Sequence, residues 1–389
     1  MPDVDAHDQT VASPASRRDR FEAFLYRHHP WVHAVKTGFA TIIGLLVSWL
    51  MDSQSSHPEW IVITIVVVMT MIPNVGGVLQ RSLYRLIATC VAALIALAVM
   101  YFTDSNPLVI AITLVVGVMI FTTVAQHRRF RQIGVMCAIT LAVLLEVGEP
   151  DEGLILWRGL DILIGAAIAL LVTRFVFPIR ASRQLRFHMA DTIDGLGRLF
   201  TLAAADEETA EVDYEEVEDK VARGFMAQRE LLPLAMIEHQ VVRNNKACFQ
   251  SMMRSQRAIF GLSRTIRRAY SHTSLGEQTI ASLSGLANLR SRVTTHVHEI
   301  AGSIREGFVL MPDPEISAAH SAMKVAMKQA TRELETQTMS PQAFTFAMEQ
   351  IIVVMDLLRK DAARIVRDLA NVHGSDEPID VATTPTPQS

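Results

Sequence analysis

Two arginines near the start of an apolar segment, Arg81 and Arg85, have the type and spacing to bind an anion. Residues four apart lie on one face of a helix, so both guanidinium groups would point the same way. They follow PNVGG at residues 73–77, where Pro73, Gly76 and Gly77 interrupt the preceding apolar run. Such a break exposes helix ends, and the positive end of the next helix would attract the same anion. A tight turn followed by two arginines is an equally good interpretation.

Four further ionisable residues fall inside apolar segments, where a charge is costly and therefore informative. Lys36 and Arg174 each lie more than a turn inside a segment, although long basic side chains can also reach the lipid headgroups. Arg158 and Asp161 are three apart and share a helical face, which also suits a local ion pair. The predicted binding residues are Lys36, Arg81, Arg85, Arg158 and Arg174, and the predicted structural or hinge residues are Pro73, Gly76, Gly77 and Asp161.

The elements that carry these residues are long and apolar. Half of the 389 residues are hydrophobic and the mean hydropathy is +0.26, which is unusual for a soluble protein. A helix needs about 20 apolar residues to cross a bilayer core of about 30 Å. Six segments near this length occur, at residues 31–51, 60–78, 83–102, 107–125, 133–147 and 154–178.

The connections between the six segments alternate in charge. Basic residues stand before the first segment, around the junction of the second and third, between the fourth and fifth, and after the sixth. The other three connections contain no Lys or Arg. Because basic loops stay in the cytoplasm, this pattern predicts a multi-pass membrane protein with both termini cytoplasmic. The charged residues 1–29 lack the features of a cleaved signal peptide.

The remainder of the chain has an ordinary charge balance and helical periodicity. The predicted domains are a cytoplasmic segment at 1–29, a six-span membrane domain at 30–179, a cytoplasmic helical domain at 180–372 and a disordered tail at 373–389. Apolar residues at alternating steps of four and three indicate a helix that packs against others. They are Phe344, Met348, Ile351, Met355, Leu358, Ala362, Ile365 and Leu369. The predicted fold class is all-α.

Several kinds of chemistry are excluded or disfavoured by the sequence. No GxxxxGK[ST], HExxH, GxSxG or GxGxxG motif occurs, so neither an enzyme nor transport driven by this chain's own ATP hydrolysis is expected. Cys90, Cys137 and Cys248 form no CxxC pair, and we predict no metal site and no cofactor. A pI of about 6.4 disfavours a nucleic-acid partner. Transport through this chain would be passive or coupled to an ion gradient.

Two stretches resemble a known family. The run GGVLQRSLYRLIAT at residues 76–89 and the run RGLDILIG at residues 158–165 resemble the second-to-third-span and sixth-span signatures of the fusaric acid resistance (FUSC) family. That family includes aromatic acid exporters and is similar to the plant aluminium-activated malate transporters. The resemblance covers residues 30 to 186. This chain has Ala88 where many members have glycine, and it has one six-span unit where the long exporters have two.

The resemblance implies a function and an assembly. It implies outward movement of organic anions across a bacterial-type inner (plasma) membrane, and a homodimer whose two copies build the pathway that duplicated members form from one chain. Arg81, Arg85, Arg158 and Asp161 match the family's short motifs, whereas Lys36 and Arg174 are candidates from their depth alone. The expected partners are a small organic anion such as an aromatic carboxylate, membrane lipid and a second copy. A passive anion channel and a non-transporting scaffold that recruits a partner through its cytoplasmic helices are the alternatives.

Overall fold

The structure is a computed structural model in which the chain forms two compact units, Met1–Arg180 and Ala181–Ser389. It describes residues 29–51, 58–70, 74–103, 106–127, 130–146, 152–203, 208–271, 286–333 and 339–372. No β-strand occurs within these ranges, so the predicted all-α class is confirmed for them. Residues 1–28, the tail and Pro73 lie outside the described residues.

Within the described residues the first unit contains six helices, and all are apolar. They are α1 (His29–Met51), α2 (Glu59–Met69), α3 (Val75–Thr103), α4 (Pro107–Gln126), α5 (Arg131–Glu146) and α6 (Glu152–Phe175). By length and composition, α1, α3, α4 and α6 contain stretches able to cross a membrane, whereas α2 and α5 are shorter. Six complete spans therefore remain a prediction.

The second helix is shorter than the sequence predicts. The segment at 60–78 was expected to be one interrupted span, but α2 ends at Met69 and α3 already begins at Val75. Asn74 explains the early start, because its side-chain Oδ1 accepts a hydrogen bond of 2.8 Å from the backbone N–H of Gly77. An acceptor at this position caps the first turn of a helix. Residues 75–78 consequently belong to α3.

Two apolar clusters hold the first unit together. One joins residues of α1, α2 and α6, such as Ala40, Ile65 and Ala169. The other joins α3, α4 and α5, with Ala92, Ala96 and Leu141 at its centre. Helix α3 also packs against α6 and so connects the two groups of helices. The short side chains on α3 let its neighbours approach closely, as is common between membrane helices.

The second unit is a bundle around one large core. Its helices are α7 (Ala181–Leu202), α8 (Glu208–Glu238), α9 (Gln240–Asn244), α10 (Lys246–Ser271), α11 (Leu286–Glu306), α12 (Pro314–Glu333) and α13 (Met339–Val372). Helix α7 packs against α8 and α11, and α10 packs against α13. The predicted apolar stripe of α13 is buried from Phe344 to Ile365, which confirms its core role.

Candidate functional site

Arg85 lies inside the first unit on the face of α3 that packs against α5. Only 3% of the residue is exposed. Its Nη1 approaches the sulfur of Met136 on α5 at 3.5 Å, and its buried Nε has no hydrogen-bond partner among the described residues. Thioether sulfur is a weak acceptor, so among the described residues Nη1 has only a weak partner and Nε has none.

Arg158 reaches the same helix, α5, from α6. Its Nη1 donates a hydrogen bond of 2.8 Å to the carbonyl oxygen of Val143 on α5. The guanidinium carbon also lies 5.3 Å from the centroid of the Trp60 ring on α2, which is a cation–π distance. The residue is 6% exposed, and within the described ranges its Nε likewise has no hydrogen-bond partner.

The contacts of the two arginines fall along one stripe of α5. Met136 and Val143 are seven residues apart, so they share a face and are separated by about 10 Å along the axis. Thr140 lies between them on that face, four residues after Met136 and three before Val143. It is buried, and its hydroxyl has no hydrogen-bond partner in the part of the chain that the structure describes. We call Thr140 of α5, together with Arg85 of α3 and Arg158 of α6, the α5 polar stripe, because both arginines contact α5.

Such a stripe is chemically unusual inside an apolar bundle. Buried polar groups normally have hydrogen-bond partners, because each one left without a partner costs free energy. Unused donors on a buried guanidinium suit a carboxylate, which accepts charge-assisted hydrogen bonds in a fork. Among the described residues, no group of three or more His, Cys, Asp and Glu is arranged to hold a metal ion. The arrangement is therefore best suited to an anion that enters between the helices.

The other predicted basic residues lie in three different surroundings. Lys36 is fully buried one turn before Ala40, on the face of α1 that packs towards α2 and α6. Arg81 is half-buried on α3, one turn before Arg85, and its buried Nε has no hydrogen-bond partner in the described ranges. Arg174 is exposed in the last turn of α6. The structure thus brings Arg85 and Arg158 to one helix but does not bring Arg174 into the interior of the unit.

The predicted helix break contributes less to anion binding than its two glycines suggest. Gly76 and Gly77 are buried and helical in the first turn of α3. Two backbone donors of that turn are already used, because Gly77 N–H donates to Asn74 and Val75 N–H donates to the carbonyl of Ile179 at 3.2 Å. An anion would have to compete with these partners, so the positive end of α3 is not an open site in this structure.

Asp161 is fully buried on α6, three residues after Arg158. It is the acidic side chain closest in sequence to the α5 polar stripe. A buried carboxylate in the same unit as buried basic residues lowers the net positive charge of the interior. The structural role of Asp161 stays a prediction.

Sequence reasoning missed the neutral members of the site. Thr140, Met136 and Asn74 look like ordinary residues of a span or a turn. The sequence signal that could have found them was spacing. Met136, Thr140 and Val143 follow one another at steps of four and three, which places them on one face of a helix. Which helix faces that stripe depends on the tertiary structure and could not be read from the spacing.

Apolar helices of membrane-crossing length with buried basic side chains between them define a membrane protein. Comparison with known families agrees, because the model of the fusaric acid resistance protein family matches residues 30–386. The chain belongs to this family.

Individual relatives cover the chain only in part. It is 25% identical to the inner membrane protein YeeA of Escherichia coli over 185 residues, which is 47% of this chain and 51% of that protein. It is 26% identical over 185 residues to the aluminum-activated malate transporter 10 of Arabidopsis thaliana, covering 42% and 37% of the two chains. The multidrug resistance protein MdtO of Escherichia coli is 27% identical over 250 residues, or 61% and 36%. The matched region thus covers about half or less of these relatives.

Proposed function

We propose that the protein is a membrane transporter that moves organic anions such as aromatic carboxylates out of the cell across the inner membrane. The observation that supports this proposal best is the α5 polar stripe. Arg85 of α3 and Arg158 of α6 each keep an unused donor inside an apolar bundle, they contact α5 at residues two turns apart, and Thr140 lies between those two residues on α5. These groups would replace part of the hydration that a carboxylate loses on entering the membrane.

The relatives' names agree with carboxylates as the substrate class. One relative is named for malate, and the family is named for resistance to fusaric acid; both are carboxylic acids. The name of MdtO refers to drug resistance, which fits outward transport. For this chain, substrate class and direction are part of the proposal.

The other basic residues extend the proposed route. Arg81 precedes Arg85 by one turn and would receive the anion first from the side on which α3 begins. Lys36, buried on α1, would add positive charge to the interior. Arg174 is exposed, so it would take part only where a second copy or the membrane surface lies against α6. We propose a homodimer in which two copies complete the route.

The first test is anion flux in proteoliposomes. Arg85→Gln removes the buried charge but keeps a polar side chain, and we expect it to lower the rate of carboxylate flux by tenfold or more, roughly the effect of losing one charge-assisted hydrogen bond. Arg81→Gln should lower it less, because Arg81 is only half-buried. The matched control is Arg131→Gln, an exposed arginine in the first turn of α5.

The same assay tests the alternatives. Undiminished flux in Arg85→Gln would contradict the proposed route. Currents that reverse at the anion equilibrium potential, with no dependence on a pH gradient, would identify a passive channel. No flux of any aromatic acid or dicarboxylate, together with one stoichiometric partner in pull-downs, would identify a scaffold.

A further inference from the structure

The second unit carries a strongly basic surface that the proposed function does not use. Seven Lys and Arg residues, and no Asp or Glu, fall between Glu238 and Glu277. Most of them are on α10, whose other face is packed into the core through Phe249, Met252 and Ile259. The exposed side of α10 presents basic residues at helical spacing, which we call the α10 basic stripe: Lys246, Arg254, Arg257, Arg264 and Arg268.

This surface differs from an ordinary solvated helix face. Exposed helix faces usually mix both signs of charge, often as pairs four residues apart. Arg264 has an acidic neighbour, with its Nε 3.3 Å from Glu218 on α8. For Lys246, Arg254 and Arg257, the described residues supply no ion-pair partner within 4.0 Å. The half of the stripe nearer the start of α10 therefore keeps its positive charge.

The side chains between the basic residues indicate what kind of partner fits. Gln250 and Gly261 complete the exposed row, and neither offers an apolar anchor. Protein interfaces of high affinity depend on buried aromatic or aliphatic anchors, which this row lacks. A flat surface of phosphate groups needs no such anchor, because it attracts each basic residue by charge alone.

A membrane surface is within reach of this unit. Only residues 176–180 separate the end of α6 at Phe175 from the start of α7 at Ala181. Five extended residues span at most about 17 Å. The unit is therefore tethered by a short connection to a helix able to cross the membrane.

We propose that the α10 basic stripe binds the anionic phospholipid headgroups of the membrane in which the protein is embedded. Lys246, Arg254 and Arg257 supply most of the attraction, and Arg264 and Arg268 extend it along the helix. The binding is electrostatic and superficial, without insertion of side chains into the acyl region. It is independent of the anion route in the first unit.

The test measures how well lipid protects the stripe in the full-length protein. Gly261→Cys places a thiol within the row, and a Cβ at this position would meet nothing within 4 Å. Ala322→Cys, exposed on α12, is the matched control. Both variants are placed in nanodiscs of phosphatidylcholine alone or mixed with phosphatidylglycerol. A membrane-impermeant maleimide is added, and labelling at each cysteine is followed by peptide mass spectrometry.

Lipid binding predicts a specific set of results. Labelling at residue 261 should be several-fold slower in the anionic nanodiscs than in the neutral ones, and labelling at residue 322 should be equal in both. The difference should vanish near 1 M salt, where the Debye length falls to about 3 Å. Adding Lys246→Gln and Arg254→Gln should also reduce it, and these changes leave the contact of Arg257 with the Phe225 ring in place.

Two results would overturn the proposal. The first is an equal labelling rate at residue 261 in both lipid mixtures at low salt. The second is slow labelling in both mixtures that persists at high salt, which would mean that another protein surface covers the stripe.

Discussion

At the scale of single residues, the first unit is defined by polar groups that an apolar bundle would not keep for stability alone. Arg85 and Arg158 are both less than a tenth exposed, yet the partners they have on α5 are a thioether and one carbonyl. Buried ionisable residues in membrane segments usually mark a substrate path. Thr140 adds a small neutral group midway between the two guanidinium groups along α5.

Thr140 offers a test of the α5 polar stripe that leaves every charge in place. Thr140→Val keeps the shape and removes the hydroxyl, so we expect an apparent KM for carboxylate flux about fivefold higher, the effect of losing roughly one hydrogen bond. Thr140→Ser keeps the hydroxyl and should stay close to the parent protein. If the serine variant loses as much affinity as the valine variant, the loss is not specific to the hydroxyl and the assigned role of that group is contradicted.

A second prediction at this scale concerns Cys248 in the second unit. Burial and the neighbouring carboxylate of Asp361 raise the pKa of the thiol to about 12. An unfolded thiol ionises near pH 8.5, so the folded state holds this proton more tightly. Stability from this group is therefore complete below about pH 8.5 and is lost as the pH rises towards 12.

The measurement is the urea midpoint for protease cleavage of the second unit in the full-length protein, from neutral pH to about pH 11. The midpoint should fall above about pH 9, and Cys248→Ala should make the fall shallower. Part of the fall should remain, because burial also raises the pKa of Tyr214 to about 12. An identical pH profile for the alanine variant would contradict the assignment.

At the scale of helices, the sequence predicted some boundaries well and others poorly, for identifiable reasons. The segment at 107–125 matches α4, Pro107–Gln126, because Asn106 caps the helix and Pro107 fixes its first turn. The predicted helix boundary in the segment at 60–78 was wrong, because the glycines at 76 and 77 look like a break but are helical. Only the hydrogen bond from Gly77 to the side chain of Asn74 reveals where α3 begins.

Helix contacts were the least predictable feature, and Gly165 shows why. A Cβ on this residue of α6 would lie 2.6 Å from the backbone oxygen of Ile61 and 2.9 Å from the Cβ of Thr64 on α2. The close approach of α6 to α2 therefore depends on one missing methyl group. Sequence alone indicated a glycine in a span but not the backbone that it faces.

Gly165→Ala should therefore destabilise the first unit. Because a backbone oxygen cannot rotate away, the helices must separate, at a cost of about 1–3 kcal/mol. Gly159→Ala is the matched control on the same helix, since a Cβ there would meet nothing within 4 Å. Thermal unfolding in detergent, followed by tryptophan fluorescence, reports on this unit because all four tryptophans lie in it. Equal melting temperatures for the two variants would show that α2 and α6 separate without cost.

At the scale of the whole molecule, the hydrophobic residues divide the chain into two units with different surfaces. The first exposes large apolar side chains, and α4 has no buried residue at all. Such a helix must meet either lipid or a second copy of the chain. The second unit packs its buried apolar residues into one core, and α13 also exposes large apolar side chains, among them Phe346, Val353 and Leu357. The concentration of apolar residues before residue 180 was apparent from the sequence, whereas the partner of α4 depends on the assembly.

Mixed dimers would show whether two copies build one route or each copy has its own. Parent protein and Arg85→Ala carrying different affinity tags are expressed together, and the mixed dimer is purified through both tags in turn. A shared route needs Arg85 from both copies, so flux through the mixed dimer should be close to that of the doubly substituted dimer.

Separate routes would instead give about half the parent rate, because one intact copy would work alone. Recovery of no mixed species through the second tag would show that the chain is not a dimer in the membrane. A mixed dimer of Arg131→Gln with the parent controls for losses in the double purification, since Arg131 is exposed and lies outside the α5 polar stripe. The ratio of mixed to parent flux thus decides whether the pair of buried arginines acts within one copy or across two.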